Sequence, residues 1–120
     1  MPCAARRYSA LPTFYTAPAQ ILVSRLIDRP LRPMIAEGWT HDTQLLSWVL
    51  SYDQKTVPNP LAVCGCAAAL AVSDIPLVKP VAAVQLGMHP DTLDFIVNPT
   101  REEFAVSPLN MMLAGTAEGY

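Results

Sequence analysis

Residues 61–72, reading Leu-Ala-Val-Cys-Gly-Cys-Ala-Ala-Ala-Leu-Ala-Val, form an unbroken run of twelve apolar or small residues. This run constrains the fold more than any other part of the chain. Pro58-Asn59-Pro60 ahead of it reads as a helix start, with Asn59 as the cap and Pro60 at the first helical position. Asp74-Ile75-Pro76 behind it reads as the stop. The helix predicted over residues 60–73 is apolar on all sides. A helix without a polar face has to be buried, and its Ala, Gly and Cys side chains let neighbours come close. It would span ~18 Å, short of the ~30 Å hydrocarbon core of a bilayer. Its cover is therefore expected from protein, and no membrane span is read.

Length and charge agree with that demand. The chain has 120 residues, room for one domain. It is 52% hydrophobic and 15% charged, against the ~25% charged usual for soluble domains. Such a chain buries much of its surface, in its own core or against partners. The net charge of −2 excludes a global basic field for nucleic acid, so any anion site must be local.

The remaining periodicities place further elements around the apolar helix. Residues 43–52 read as a strand, in which Leu46, Trp48 and Leu50 alternate with Ser47, Val49 and Ser51. Val49 breaks the polar face, so both sides are expected to be partly covered. Residues 81–87 and 93–97 read as two strands joined by a hairpin-sized loop at 88–92. Thr100 and Glu103 form a Thr-x-x-Glu capping-box pattern over a short helical turn, and residues 109–114 read as a final strand. The order of helix, strand, buried helix, hairpin and strand favours an α+β domain with helices packed on a sheet. An apolar strand so near the end of the chain needs a partner along its edge, which suggests part of a larger unit.

The local anion site suggests itself in Ser24-Arg25-Leu26-Ile27-Asp28-Arg29-Pro30-Leu31-Arg32-Pro33. Arg25, Arg29 and Arg32 recur at i, i+4 and i+7, within an arc of about 60° on a helix. Leu22, Val23, Leu26, Ile27 and Leu31 cover the other side. A stripe of guanidiniums suits a phosphate or a polyanion. Read from periodicity alone, an ordinary solvated face is the stronger alternative, with Arg25 and Arg32 each able to pair with Asp28 at i+3 and i+4. Pro30 leaves the Leu26 carbonyl without its donor, so the helix is expected to kink or end near Arg29. Arg32 would then lie beyond the break.

Other chemistry is sparse. Cys64 and Cys66 sit in the apolar run, where Cys behaves as a small hydrophobe. A lone Cys-x-Cys is a weak zinc signal, since structural zinc takes four ligands. His41 and His89 stand apart, and the five glycines are scattered singly, so no phosphate-cradling loop is visible. Glu102, Glu103, Asp91 and Asp94 read as solvated carboxylates. The first 27 residues contain no acid and include Arg6 and Arg7. This composition is similar to that of an organellar transit peptide, the alternatives being a short basic loop or an arbitrary start. Residues 1–20 are accordingly read as an N-terminal extension and 21–120 as the domain.

Several phrases resemble one family. The arginine run resembles the signature of the first RNase PH-like core of polynucleotide phosphorylases. Leu50-Ser51-Tyr52-Asp53, Ala67-Ala68-Ala69-Leu70, Ser73-Asp74-Ile75-Pro76, Val97-Asn98-Pro99-Thr100 and Ala114-Gly115-Thr116 resemble its later motifs in the same order. The resemblance runs over residues 21–116, and the wording around His41-Asp42 and residues 47–53 looks most like plant-type organellar members. It implies a partial RNase PH-like core of the ribosomal protein S5 domain 2-like type, with helices on a mixed sheet.

The implied activity is phosphate-dependent 3′-to-5′ exoribonuclease and polyribonucleotide nucleotidyltransferase chemistry in RNA degradation. The implied partners are single-stranded RNA, inorganic phosphate and nucleoside diphosphates, and the implied assembly is a homotrimer. By position, the resemblance gives Arg25 and Arg29 a catalytic role. Arg25, Arg29 and Arg32 take phosphate or RNA contacts, and Asp28 takes an orienting role. Mg2+ or Mn2+ is expected in the complete enzyme, bound by a second core not found in these residues, and the location is expected to be a mitochondrion or chloroplast, otherwise the cytoplasm. The family's Phe-Phe-Arg/Lys-Arg-Glu channel loop has no recognisable counterpart in Arg7-Tyr8-Ser9-Ala10-Leu11-Pro12-Thr13-Phe14-Tyr15-Thr16, so no channel-loop role is transferred. The 120 residues alone are expected to be inactive in phosphorolysis. The alternative is a non-catalytic remnant that keeps the fold and an RNA or subunit contact.

Overall fold

In a computed structural model, residues 18–119 are described; the basic segment with Arg6 and Arg7 lies outside them. Helix α1 is Pro18–Leu31, followed by a 3-10 turn at Arg32–Met34. Helix α2 is Asn59–Ala71, and strands β1 and β2 are Ala82–Met88 and Phe95–Val97. Helix α3 is Arg101–Val106 and strand β3 is Met111–Gly115. The sheet has the order β2-β1-β3. Leu86 pairs with Val97 on one side of β1, and Val84 pairs with Leu113 on the other. Both pairings are antiparallel, so the described sheet is not mixed, as the resemblance implied, while the α+β class holds.

Leu31, Cys66, Ala67, Leu70 and Val81 form the core, with Ile27, Met34, Leu45, Ile75, Leu77 and Ala114 packed around it. The core thus lies where α1 and β1 meet the inner face of α2. The close approach of α2 to the sheet shows at Cys64, whose Sγ accepts the Ala83 N–H at 3.3 Å. Only one side of α2 is covered, contrary to the all-round burial expected from its composition. Val63, Cys66, Ala67 and Leu70 are buried, whereas Leu61 is 76% and Val72 88% exposed. Burial here is set by what lies alongside the helix, and its outer side faces residues 45–53 across a groove of about 690 Å3.

Three further local expectations are corrected. Asn59 does not cap α2: Pro58 holds the cap position without a side-chain bond, and the first turn closes through Ala62 N–H to the Pro58 carbonyl at 3.0 Å. Helix α1 does not stop at Arg29 but continues to Leu31. Pro30 removes only one hydrogen bond, in the last turn, and Leu31, 2% exposed, is seated in the core. That burial holds the turn in helical form until Pro33 converts it to the 3-10 turn.

Residues 43–52 are not a strand, and beyond Leu45, which packs on the core, residues 46–52 are exposed. Trp48 is 75% and Leu50 96% exposed. A strand exists only as part of a ladder, and among the described residues no strand or bridge pairs with this stretch. The first bridge beyond it joins Thr56 to Thr100.

The hairpin, the capping box and the final strand form as expected, with bounds shifted by one or two residues. In the box, the Thr100 hydroxyl oxygen accepts the Glu103 N–H, and the Thr100 N–H donates to Glu103 Oε2 at 2.8 Å. Residues facing each other across an antiparallel pair share a face. Val84, Leu86 and Met88 therefore line up with Leu113, Val97 and Met111, and Phe95 on the side away from α2. This second apolar face leaves Phe95, Val97 and Met111 exposed.

Candidate functional site

The arginine stripe follows from the way α1 is anchored. Ile27 and Leu31 turn into the core, and helical geometry then sends residues about 180° away outward. Arg25 and Arg29 are exposed on that outer side. Neither has an ion-pair partner among the described residues, so both guanidiniums keep their donors for an external anion. Leu22, expected on the apolar side, is exposed as well, because only the C-terminal half of α1 is docked.

Arg32, the first residue of the 3-10 turn, is brought back toward the stripe by Asp28. Its Nε donates to Asp28 Oδ1 at 3.1 Å and its Nη2 donates to Oδ2 at 2.6 Å. Of the two pairings open to Asp28 in the sequence, the structure takes the one with Arg32. The continuation of α1 through Pro30 makes this fork possible, since it keeps residues 28 and 32 one helical turn apart. The four side chains carry three positive charges and one negative on one flank of the molecule. Such an arrangement can neutralise phosphate oxygens and stabilise charge that builds up in a phosphoryl transfer.

Three titratable groups away from the arginine face, Asp53, Glu103 and Cys66, are shifted by local bonds or burial. The Asp53 carboxylate accepts the Lys55 N–H at 2.9 Å and the Thr56 N–H at 3.2 Å, and these bonds hold its carboxyl below the usual range. The Glu103 carboxyl is lowered by the Thr100 N–H, then by the Thr100 hydroxyl, with a smaller contribution from His89. Burial pushes the Cys66 thiol up. Among the described residues no three His, Cys, Asp or Glu side chains converge as a metal-ligand set, and no helix is long and apolar enough to cross a membrane.

Sequence reasoning missed a polar cluster beside the sheet. Gln85 is buried, its N–H donates to Asn98 Oδ1 at 3.0 Å, and its Nε2 donates to Asn110 Oδ1 at 2.9 Å. Asn98 has φ +52°, a conformation Asn tolerates better than most residues. Ser107 is a second junction: its Oγ accepts the Met88 N–H at 2.8 Å and donates to the Leu109 carbonyl at 2.7 Å. The one signal in the sequence was a glutamine inside an otherwise apolar strand. These groups are all satisfied by one another and fasten β1 to the loops beside it.

Comparison with known proteins gives the family. The profile of the 3′ exoribonuclease family, domain 1, matches residues 12–76, and that of domain 2 of the same family matches residues 79–119. In this chain the two matched segments share one core, in which Leu31, Cys66, Ala67 and Leu70 from the first meet Val81 from the second. The chain is 56% identical over 99 residues to a polyribonucleotide nucleotidyltransferase of Protochlamydia amoebophila. It is 49% identical over 98 residues to the protein of that name from Chlamydia trachomatis serovar L2, and 50% identical over 97 residues to that of Chlamydia felis. These matches cover 81–82% of this chain and 14% of each relative, so the chain spans about one-seventh of the length of the curated relatives it matches.

Proposed function

The chain belongs to the 3′ exoribonuclease family, and on that premise we propose that it supplies the arginine-bearing part of a phosphate-dependent 3′-to-5′ exoribonuclease and polyribonucleotide nucleotidyltransferase. The observation that carries this reading is the exposed pair Arg25 and Arg29 on α1, with Arg32 fixed beside them. In the reaction, an oxygen of inorganic phosphate attacks the terminal phosphodiester phosphorus of single-stranded RNA. The bond to the 3′ oxygen of the preceding nucleotide breaks, and a nucleoside diphosphate leaves. Both reactants are anions, so the barrier includes their mutual repulsion. Fixed guanidiniums reduce it, and Arg suits the task because it stays protonated and offers bidentate donors. In this reading Arg25 and Arg29 touch the reacting phosphates, and Arg32 contacts phosphate or RNA.

The reading extends to residues 21–120 as part of a first RNase PH-like core and to a homotrimeric assembly. In this reading the Mg2+ or Mn2+ of the complete enzyme is held by a second core outside residues 21–120. Delivery to a mitochondrion or chloroplast rests on the acid-free, Arg6- and Arg7-bearing start; the position of a fluorescent fusion in cells tests it.

The catalytic reading is tested in a chimera. Residues 18–119 replace the matching segment of the Protochlamydia polyribonucleotide nucleotidyltransferase, and phosphate-dependent release of ADP from poly(A) is followed. Each lost charge-assisted contact costs about 1.5–3 kcal/mol, so Arg29→Ala should lower kcat/KM by roughly 10- to 150-fold. Unchanged kinetics in a folded Arg29→Ala chimera would refute the role.

A further inference from the structure

Residues 46–52 have the pattern of a β-strand without its ladder. Leu46, Trp48, Leu50 and Tyr52 alternate with Ser47, Val49 and Ser51. Among the described residues no backbone hydrogen bond joins this stretch to another part of the chain. Unpaired backbone groups along an apolar stretch are a template for pairing with another chain, and native edges are commonly guarded by charges or proline. Residues 43–52 contain neither. The other exposed apolar surface, at Phe95, Val97 and Met111, belongs to strands already paired with β1.

The side chains are as open as the backbone. Leu46, Trp48, Val49, Leu50 and Tyr52 are 43–96% exposed. At about 150–250 Å2 for a large residue fully exposed, these five leave roughly 500–800 Å2 to water. An interface of standard size takes about 800 Å2 from each partner, and weak ones less than about 600 Å2. The area fits a weak contact that depends on concentration.

We infer that residues 46–52 are a self-association edge: two copies of this chain join about a two-fold axis, the stretch of one running antiparallel to that of the other, with Val49 on the axis. Facing residues in an antiparallel pair share a face. With this register Trp48 faces Leu50 of the copy, Leu46 faces Tyr52, and Ser47 faces Ser51. Apolar residues meet on one face, and serines, which can hydrogen-bond across the pair, meet on the other. An axis between residues 48 and 49 would instead set Leu46 against Ser51 and Ser47 against Leu50. An axis on Trp48 would set Ser47 against Val49. The absence of charge in the stretch means that no like charges are brought together. The two-fold contact closes at two copies. It uses no residue of the arginine face and leaves Leu61 and the outer side of α2 open, so it stands or falls independently of the proposed function.

Sedimentation velocity of the full 120-residue chain, from low to high micromolar concentration, is the test, with far-UV circular dichroism confirming the fold of each variant. The mass should rise from that of one 13.0 kDa chain toward twice that value. Val49→Lys places two ammonium groups opposite each other and should raise the dissociation constant at least about tenfold. Val97→Lys, on the exposed face of the sheet, should leave it unchanged. The register has its own readout. In Val49→Cys the two new thiols lie on residues whose Cα atoms are about 4.5–5.5 Å apart, within disulfide reach. Glutathione disulfide should therefore link the two chains covalently. Ser47→Cys places its thiols about 13 Å apart along the pair and should give no more linked dimer than the wild-type cysteines do.

A chain that stays monomeric throughout overturns the inference and leaves the edge to a different polypeptide. Growth beyond two copies overturns it, because the contact would not be closed. So does a dimer that survives Val49→Lys or is lost in Val97→Lys, since another face would then hold it together. Equal cross-linking of Val49→Cys and Ser47→Cys overturns the register.

Discussion

Replacing Leu70 by alanine should cost this chain far more than replacing Leu61 by alanine, although both leucines belong to the same uniformly apolar helix. Leu70 is 1% exposed and packs in the cluster of Leu31, Cys66, Ala67 and Val81; Leu61 is 76% exposed at the lip of the open groove. Truncating a buried leucine loses its transfer energy and leaves a cavity, together about 2–5 kcal/mol. Truncating one that solvent already reaches costs less than about 0.5 kcal/mol. A domain has about 5–15 kcal/mol of stability in all, so Leu70→Ala removes a large share of it. The variant also loosens the seat of Leu31, and with it the end of α1 that presents Arg29 and Arg32. Urea unfolding followed by far-UV circular dichroism measures the difference. With a slope of about 1–3 kcal/mol per molar, Leu70→Ala should lower the midpoint by about 1 M or more, and Leu61→Ala should barely move it. Equal losses would refute the reasoning, because they would mean that the outer side of α2 is covered in solution.

Other consequences can be checked in the same chain. A Cβ on Gly87 would lie 3.1 Å from Pro99 Cγ and 3.3 Å from Ser107 Oγ; Gly87→Ala should therefore destabilise by about 1–3 kcal/mol, read as a lower melting temperature. The Glu103 carboxyl is held below its ordinary range by Thr100, so its contribution to the start of α3 is present above the unfolded value and is lost as pH falls through the folded one. Amide shifts of residues 101–103 should follow that acid transition and lose it in Glu103→Gln. Cys66 is buried with its thiol pushed up, while Cys64 is partly exposed; iodoacetamide should modify Cys64 before Cys66 in the folded chain, as peptide mass mapping will show.

The parts of the fold that were legible in the sequence are those whose cause is local. The Thr100-to-Glu103 capping box closes within four residues, and its two bonds form as the spacing requires. The hairpin of β1 and β2 follows from alternation and a short loop. The arginine spacing put Arg25 and Arg29 on one face because helical periodicity holds wherever the helix does. Pro30 misled because its local penalty was weighed without the burial of Leu31, which outweighs it. The stretch at 43–52 misled for the opposite reason: its alternation is strand-like, but a strand needs a neighbouring strand to form a ladder, and among the described residues none lies alongside it.

The sequence alone determined which segments can be helix or hairpin, where the positive charge gathers, and which family the phrases resemble. These depend on residue type and spacing along the chain. Tertiary structure decided which side of the apolar helix α2 is core, that Asp28 takes Arg32 rather than Arg25, and that the buried Gln85 is satisfied by Asn98 and Asn110. Each of these depends on what lies across from a side chain, and composition cannot show that. An arginine stripe becomes a candidate active face only when its opposite side is anchored, and here the anchor is Leu31 against Leu70 and Val81, thirty-nine and fifty residues further along the chain.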